Sequence, residues 1–347
     1  MKNSDDKITI NDLAASLGIS KSTISNYLNG NFKAMSQSTR EKIQNEIDRL
    51  GYHPSYYARN LKLKKVKTIG VILAHITGAD TSAYLNGLYN VFSATQYSVI
   101  LLNSFDDPDQ ELRNLEICME QEVSGIIIRS CCTDISFHET LWKKGIPIVF
   151  MDRESPKWRH DAVFIDQRSI VTEALEHMWF NGYRRLFLLS SPFNSLDVKS
   201  ERVSAFKTFL SMRMPSEFDR DKFIRIIENS PENVSRQISD IMEQYPDDRK
   251  GLLVCGNSRL VWQTIYELRA QDISLPENLG LCVFDSEWQW CKLVGSGITA
   301  IYQPCEEMAR ATANLLLLRI NGDVVGDAHI QILKARLNVG STTASKI

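Results

Sequence analysis

The sequence predicts a small all-α headpiece carrying a helix-turn-helix, followed by a much larger α/β body built on parallel sheets. Three observations predict it. Residues 12–29, DLAASLGISKSTISNYLN, hold two short helical patterns broken at a glycine. The first 67 residues carry 12 Lys and Arg against 6 Asp and Glu, a local net of +6, and the rest of the chain carries 28 against 36, a net of −8. Beyond residue 67, apolar runs alternate with amphipathic helix patterns, as in folds where helices cover both faces of a parallel sheet. The whole-chain charge of −2 hides the split. A basic head on an acidic body is an electrostatic footprint for a polyanion that the body would repel.

In the headpiece, Thr9 is a candidate N-cap with Asp12 three residues on, and Leu13, Ala14 and Leu17 repeat at helical spacing before Gly18 ends the helix. Ser20 caps the next helix, which buries Ile24 and Leu28 and leaves Lys21, Ser22, Ser25 and Asn26 pointing outward. A third helix is expected from a capping box at Ser38–Glu41, with Ile43, Ile47 and Leu50 facing inward. In a helix-turn-helix the second helix lies in the major groove with its N-terminal residues at base edges. The spacing also suits an ordinary three-helix bundle but favours DNA binding, and the basic balance strengthens that reading. After it, GYHPSYYARNL (51–61) reads as a second DNA element, and KLKKVK (62–67) as its continuation or as a solvated linker.

The body is long enough, with 43% of the whole chain hydrophobic, to bury one large core or two linked ones, two lobes being the expectation. Strands are predicted at 68–73, 97–103, 125–129, 147–150, 162–165, 185–189, 223–227, 251–255 and 279–284. Helices are predicted near 84–94, 109–121, 136–144, 169–181, 199–212, 234–245, 258–270 and 305–320. Parallel sheets of this kind bind ligands at the carboxyl ends of their strands. No apolar run reaches the roughly 20 residues needed to cross a bilayer, and residues 1–7 lack the apolar stretch of a signal peptide, so the expected location is the cytoplasm and no membrane partner is expected. The seven cysteines, Cys118, Cys131, Cys132, Cys255, Cys282, Cys291 and Cys305, form no C-x-x-C pair and read as reduced, partly buried thiols. No G-x-G-x-x-G, P-loop, G-x-S-x-G or H-E-x-x-H is present, so no catalytic residue, metal or cofactor is expected.

The headpiece motifs, I-T-I-x-D-L-A, G-I-S-x-S-T-I-S, L-N, S-x-x-T-R-E-K-I, L-G-Y-x-P and A-R-x-L, resemble those of the lactose-repressor (LacI/GalR) family of bacterial transcription regulators. The resemblance implies that Lys21, Ser22 and Asn26 read bases and that Ser20, Thr23 and Ser25 touch phosphate. It implies further that Ala58 and Leu61 belong to a hinge helix that forms on DNA, with Leu61 wedging into the minor groove and bending the duplex. Leu61 also suits a core position of the next domain. Asn26 stands where the family commonly has Arg, and Tyr56 and Tyr57 are bulkier than its usual small hinge residues. The stretch YLNGNFKAMS (27–36) resembles the subgroup controlling sugar-acid catabolism, such as ketodeoxygluconate repressors.

Body motifs carry the same resemblance: VSGIII (123–128), IPIVFMDR (146–153), NGYRRL (181–186), LPENLGLCVFD (275–285), TAIYQP (299–304) and LNVGS (337–341). They imply a periplasmic-binding-protein-like body of two Rossmann-like lobes joined by three crossovers. By position Asp152, Arg202 and Asp285 would bind effector, with Tyr84, Phe164 and Gln303 beside the cleft. The chemistry suits a polyhydroxylated ligand, because carboxylates accept hydroxyl hydrogen bonds and a guanidinium donates a fork or pairs with a carboxylate. On residue chemistry alone each of these also suits a turn cap, a surface ion pair or core filling, as do Trp288 and Trp290. Gly256-Asn257, Val283 and Tyr183 depart from the family's common Asn-Asp or Ser-Asp, Gly and His, so no well-known member's effector carries over.

The expected organisation is a headpiece at 1–50, a hinge and linker at 51–67, and a body at 68–347. In the body, lobe 1 is expected near 68–165 and 304–328, and lobe 2 near 166–303 and 329–347. The expected function is repression of carbohydrate or sugar-acid catabolic genes under a small effector, with double-stranded operator DNA of pseudo-palindromic sequence and a second copy of the chain as partners. A homodimer is favoured over a tetramer because no leucine-heptad tail is seen. The alternatives are a sugar-kinase-type enzyme fused to a DNA-binding head and a sugar-binding protein without a regulatory role.

Overall fold

Thr9 and Asp12 exchange the two hydrogen bonds of a capping box: the Thr9 amide donates to Asp12 Oδ2 at 2.9 Å and the Asp12 amide donates to Thr9 Oγ1 at 3.3 Å. They open α1 (Ile10–Leu17), which Gly18 closes in the left-handed conformation at φ 62°. Helices α2 (Lys21–Leu28) and α3 (Gln37–Leu50) complete the headpiece. The cap of α3 lies earlier than the sequence suggested: Ser36 Oγ accepts the Thr39 amide at 3.2 Å, and Glu41 instead accepts from the Gln37 side chain. Ser36 and Thr39 form an S-x-x-T pair two residues upstream of the expected S-x-x-E pair Ser38–Glu41. Leu13, Ala14 and Ile24 form the buried centre, with Leu17, Leu28, Ile47 and Leu50 packed around it. Two polar links tie the helices: Ser16 Oγ donates to Glu46 Oε1 at 2.5 Å, and Tyr27 Oη donates to Gln44 Oε1 at 2.7 Å.

The structure is a computed structural model that describes residues 8–28, 31–32, 35–50, 67–76, 79–132, 136–153, 160–193, 198–214, 219–228, 230–246, 248–284 and 297–345. The chain divides into two compact units, Met1–Val66 and Lys67–Ile347. The expected hinge residues Ala58 and Leu61, with Tyr56 and Tyr57, lie outside the described residues, as do Asp285, Trp288, Trp290 and Cys291.

The body runs β1 (Thr68–Leu73), α4 (Ala79–Phe92), β2 (Ser98–Asn103), α5 (Pro108–Glu120), β3 (Gly125–Ile128), α6 (Ser136–Lys143), β4 (Ile148–Met151) and β5 (Asp161–Ile165). It continues through α7 (Gln167–Phe180), β6 (Arg185–Ser190), α8 (Val198–Arg213), β7 (Ile224–Ile226), α9 (Pro231–Gln244), β8 (Lys250–Val254), α10 (Ser258–Ala270) and β9 (Leu279–Phe284). The last elements are β10 (Thr299–Tyr302), α11 (Cys305–Asn321), β11 (Ile330–Leu333) and β12 (Arg336–Asn338). Two six-stranded sheets result, in the orders β11-β5-β4-β3-β1-β2 and β12-β10-β9-β8-β6-β7. All neighbours are parallel except β12, which runs antiparallel to β10. Strands such as TIGVIL, GIII and LGLCVF are buried at every position, which is why they read as unbroken apolar runs rather than alternating ones.

The chain passes between the sheets after β5, after β10 and after β11, giving three crossovers. One expected boundary is corrected. The sequence assigns residues 329–347 to the second lobe, but Ile330–Leu333 pair with Ala162–Ile165 in the first sheet, and the passage falls between Leu333 and Arg336. β11 is a short edge strand of alternating exposure, so it carries little apolar signal to separate it from β12.

Helix α11 packs lengthwise on α4, and Gly87 is what lets the two approach. A Cβ there would strike the Glu306 carbonyl oxygen and stand 2.7 Å from Ala309 Cβ. This close packing fixes Tyr84, one turn earlier on α4, against Cys305 at the start of α11.

Candidate functional site

In the headpiece, α2 turns Ile24 fully inward, and the 3.6-residue period places Ser22 and Asn26 exposed on the opposite face, with Lys21 exposed at the first position of the helix. Ser20 Oγ accepts the Thr23 amide at 3.1 Å and lies 2.6 Å from Ser22 Oγ and 2.9 Å from Thr23 Oγ1. The hydroxyls of Ser20, Ser22 and Thr23 therefore gather at the N-terminus of α2, whose free N–H groups and positive dipole end suit a phosphate. Thr23 and Ser25 are half-buried. The same helix thus offers a cation and an amide for base edges beside hydroxyls for the backbone, the two kinds of contact a DNA reader needs.

In the body, the polar groups converge at the carboxyl ends of the strands. In the first lobe Asp152 directly follows β4, is 2% exposed, and takes a left-handed backbone at φ 66°, which a residue with a Cβ adopts only at a cost of about 1–3 kcal/mol when its surroundings enforce it. Arg129, directly after β3, supplies that enforcement: its Nη2 is 2.7 Å from Asp152 Oδ2 and its Nη1 is 3.1 Å from Asp80 Oδ2 in the first turn of α4. The guanidinium also lies 5.8 Å from the ring centre of Tyr84. Burial, and then the neighbouring Asp152 carboxylate, push the Tyr84 phenol well above its ordinary pKa. Burial pushes the Cys305 thiol up to about 12, so neither group ionises near neutrality. Asp152 Oδ1 is buried and has no hydrogen-bond partner among the described residues.

In the second lobe Arg202, near the start of α8, is 4% exposed. Its Nε donates to Gln167 Oε1 at 2.9 Å, its Nη2 donates to Gln303 Oε1 at 3.2 Å, and the guanidinium stacks 3.7 Å from the ring centre of Phe284 at the end of β9. Gln303 is two residues from Cys305, so the chain itself links the Arg202 group to the Tyr84 group.

The structure brings Tyr84 and Asp152 together through Arg129, and Arg202 and Gln303 directly. Phe164 goes elsewhere. Val163 and Ile165 face the larger core, so strand alternation turns Phe164 the other way, into the cluster with Ile72, Ile128 and Phe150. Its expected place beside the cleft is corrected to a core position. Arg129, Gln167 and Phe284 were missed by the sequence reading. Arg129 had been counted as the last residue of its strand, and a lone arginine ending an apolar run at the carboxyl edge of a parallel sheet was the signal. No group of three or more His, Cys, Asp or Glu able to hold a metal occurs among the described residues. The six described cysteines are buried, and none is paired in a disulfide. No helix is long and apolar enough to cross a membrane among the described residues.

Comparison with known proteins places these features in one lineage. Residues 9–55 match the model of bacterial regulatory proteins of the lacI family, and residues 175–343 match a periplasmic binding protein-like domain. The HTH-type transcriptional regulator KdgR of Bacillus subtilis (strain 168) is 30% identical over 315 residues, covering 91% of this chain and 92% of that protein. The HTH-type transcriptional regulator PtxS of Pseudomonas plecoglossicida is 28% identical over 337 residues, 97% of this chain and 96% of that one. Among solved structures, the lac repressor dimer bound to operator and the anti-inducer ONPF has the same fold, with a TM-score of 0.79 at 18% identity over 98% of this chain and 100% of that one. With relatives that are regulators rather than enzymes along nearly its whole length, the chain belongs to the lacI family of bacterial transcriptional regulators.

Proposed function

We propose that this chain is a cytoplasmic, homodimeric repressor of sugar-acid catabolic genes whose body takes a sugar acid between its lobes. The observation that carries the reading is the pairing of opposite chemistries at the strand ends: a buried guanidinium stacked on Phe284 in one lobe, and a buried carboxylate with one unsatisfied oxygen in the other. A sugar acid complements both, because its carboxylate can receive the Arg202 fork and its hydroxyls can donate to Asp152 Oδ1. The regulator KdgR, at 30% identity over most of both chains, supports the same subgroup. Asp285, one residue beyond Phe284, joins the proposed effector contacts.

Two headpieces would read a pseudo-palindromic operator, Lys21, Ser22 and Asn26 at base edges and Ser20, Thr23 and Ser25 at phosphates. Ala58 and Leu61 in the proposed hinge, 51–67, would couple the lobes to DNA, since a small molecule shifts a two-state equilibrium only by its differential affinity for the two states. The test is a titration of the full chain with a palindromic duplex selected from random sequence, with and without 2-keto-3-deoxygluconate, gluconate and glucuronate. A steep fall of affinity with salt and a change on adding one of the acids are expected. Salt-independent binding, or indifference to every sugar and sugar acid in a wider panel, would contradict the reading.

A further inference from the structure

Behind the effector residues of the first lobe lies a buried carboxylate that touches none of them. Glu111, on α5, is fully buried. Three donors converge on it: the Ser130 hydroxyl, the Cys131 amide at 2.6 Å, and His138 Nε2 at 3.2 Å from α6. His138 is itself fully buried, and its Nδ1 has no partner among the described residues. Burial alone would raise the Glu111 pKa, but the hydrogen bonds from His138, Ser130 and Cys131 outweigh it and hold the carboxyl below its ordinary value.

Ser130 and Cys131 belong to the loop that also carries Arg129. Arg129, immediately before Ser130, grips Asp152, and the Ser130 carbonyl accepts Arg153 Nη1 at 3.0 Å. Consecutive residues 129 and 130 thus hold consecutive residues 152 and 153. Arg153 Nη2 continues to Asp106 Oδ1 at 2.7 Å, and His75 Nε2 stands 3.0 Å from Asp106 Oδ2, so the loops after β1, β2, β3 and β4 are joined in one polar lattice. Asp152, held in its left-handed backbone, is the residue this lattice over-determines.

We propose that Glu111 is a positioning residue of the effector site, fixing the Ser130–Cys131 backbone so that Arg129 meets Asp152 in the geometry that receives a ligand. It never contacts the ligand, and its influence runs through Arg129. The proposal rests on reading the body as an effector-binding domain. Glu111→Gln keeps the shape but turns an amide N–H toward one of the three donors, so the loop must shift. Leu115→Ala, one turn further along the same helix and equally buried, is the control that weakens packing without touching the loop.

The experiment has two arms on the full chain. In the first, without ligand, the side-chain N–H signal of Arg129 is followed by NMR. It is expected to be sharp and slowly exchanging in wild type and Leu115→Ala, and broadened or lost in Glu111→Gln. In the second, calorimetry with 2-keto-3-deoxygluconate is expected to show at least tenfold weaker binding for Glu111→Gln, less than twofold for Leu115→Ala, and less than twofold further loss when Glu111→Gln is added to Arg129→Gln. An unchanged Arg129 signal, or an equal loss in both backgrounds, would overturn the proposal. If the wild type takes up no 2-keto-3-deoxygluconate, the effector reading is what fails, and the Arg129 signal decides the positioning role alone. Should Glu111→Gln not fold, Ser130→Ala removes one of the three donors and is read the same way.

Discussion

Arg129 stands between two carboxylates from different elements, 3.1 Å from Asp80 and 2.7 Å from Asp152. The pair with Asp152 is nearly dry, with side-chain exposures of 16% and 2%. Buried pairs add little net stability over an apolar substitute, but removing one partner strands the other's charge.

Arg129→Met is therefore expected to cost about 3–5 kcal/mol in urea unfolding of the body, and the double variant Arg129→Met, Asp152→Leu less than the single. A loss under about 1 kcal/mol for the single, as for an exposed pair, would show that the site is wet.

On DNA, Lys21→Ala and Asn26→Ala are each expected to cost about 1–3 kcal/mol at the selected operator and much less on random duplex. Equal losses on both would make them phosphate contacts. Filter-binding or anisotropy titrations at fixed salt discriminate the two.

Much of this was legible in the residues. The capping box at Thr9, the Gly18 stop and the inward Ile24 follow from local rules that need no tertiary information, and apolar runs marked nine strands, seven of which are buried along nearly their whole length. What stayed hidden depends on distant partners. β11 was assigned to the wrong lobe because an edge strand is defined by its neighbour, Ala162–Ile165, rather than by its own pattern. Phe164 looked like a ligand cover, and only the alternation of its strand shows that it faces core. Arg129 and Glu111 gain their roles from residues tens of positions away, which no local motif records.

Helix packing offers a second stability test. Gly87→Ala drives a methyl into the Glu306 backbone and Ala309, where no flexible side-chain tip can yield. Overpacking of this kind costs about 1–3 kcal/mol, and because Tyr84 and Cys305 ride on the same two helices, sugar-acid affinity should fall with it. Thermal unfolding and calorimetry on one preparation check both.

The headpiece carries its own pH signature. Hydrogen bonds from Arg49, and then from Ser16, hold the Glu46 carboxyl down to about 2 against an ordinary 4.5. A depressed carboxyl contributes stability that is present above 4.5 and lost as pH falls toward 2. The stability gap between the wild-type headpiece unit and Glu46→Gln, read in the full chain by unfolding of the headpiece signals, should be constant from pH 7 to about 5 and close as pH falls through that window. A gap that persisted at pH 2 would show that the side chain acts through packing.

Hinge coupling is tested at Leu61, expected to wedge into the minor groove. Leu61→Ser should weaken operator binding while leaving sugar-acid affinity, measured without DNA, within about twofold, because the proposed wedge acts only on the duplex. Loss of sugar-acid binding in this variant would place Leu61 in the body core instead.

The central claim, that a sugar acid held by Arg202 and its lobe-1 counterparts controls DNA affinity, is tested most directly by operator binding with and without the acid in wild type, Arg202→Ala and Asp285→Ala. Losing a buried charged hydrogen-bonding partner costs about 1.5–3 kcal/mol, roughly ten- to a hundredfold in affinity. The account predicts that both variants still bind operator but no longer respond to the acid at concentrations that switch the wild type. Variants that respond at the wild-type concentration would contradict it and move the effector to another part of the molecule.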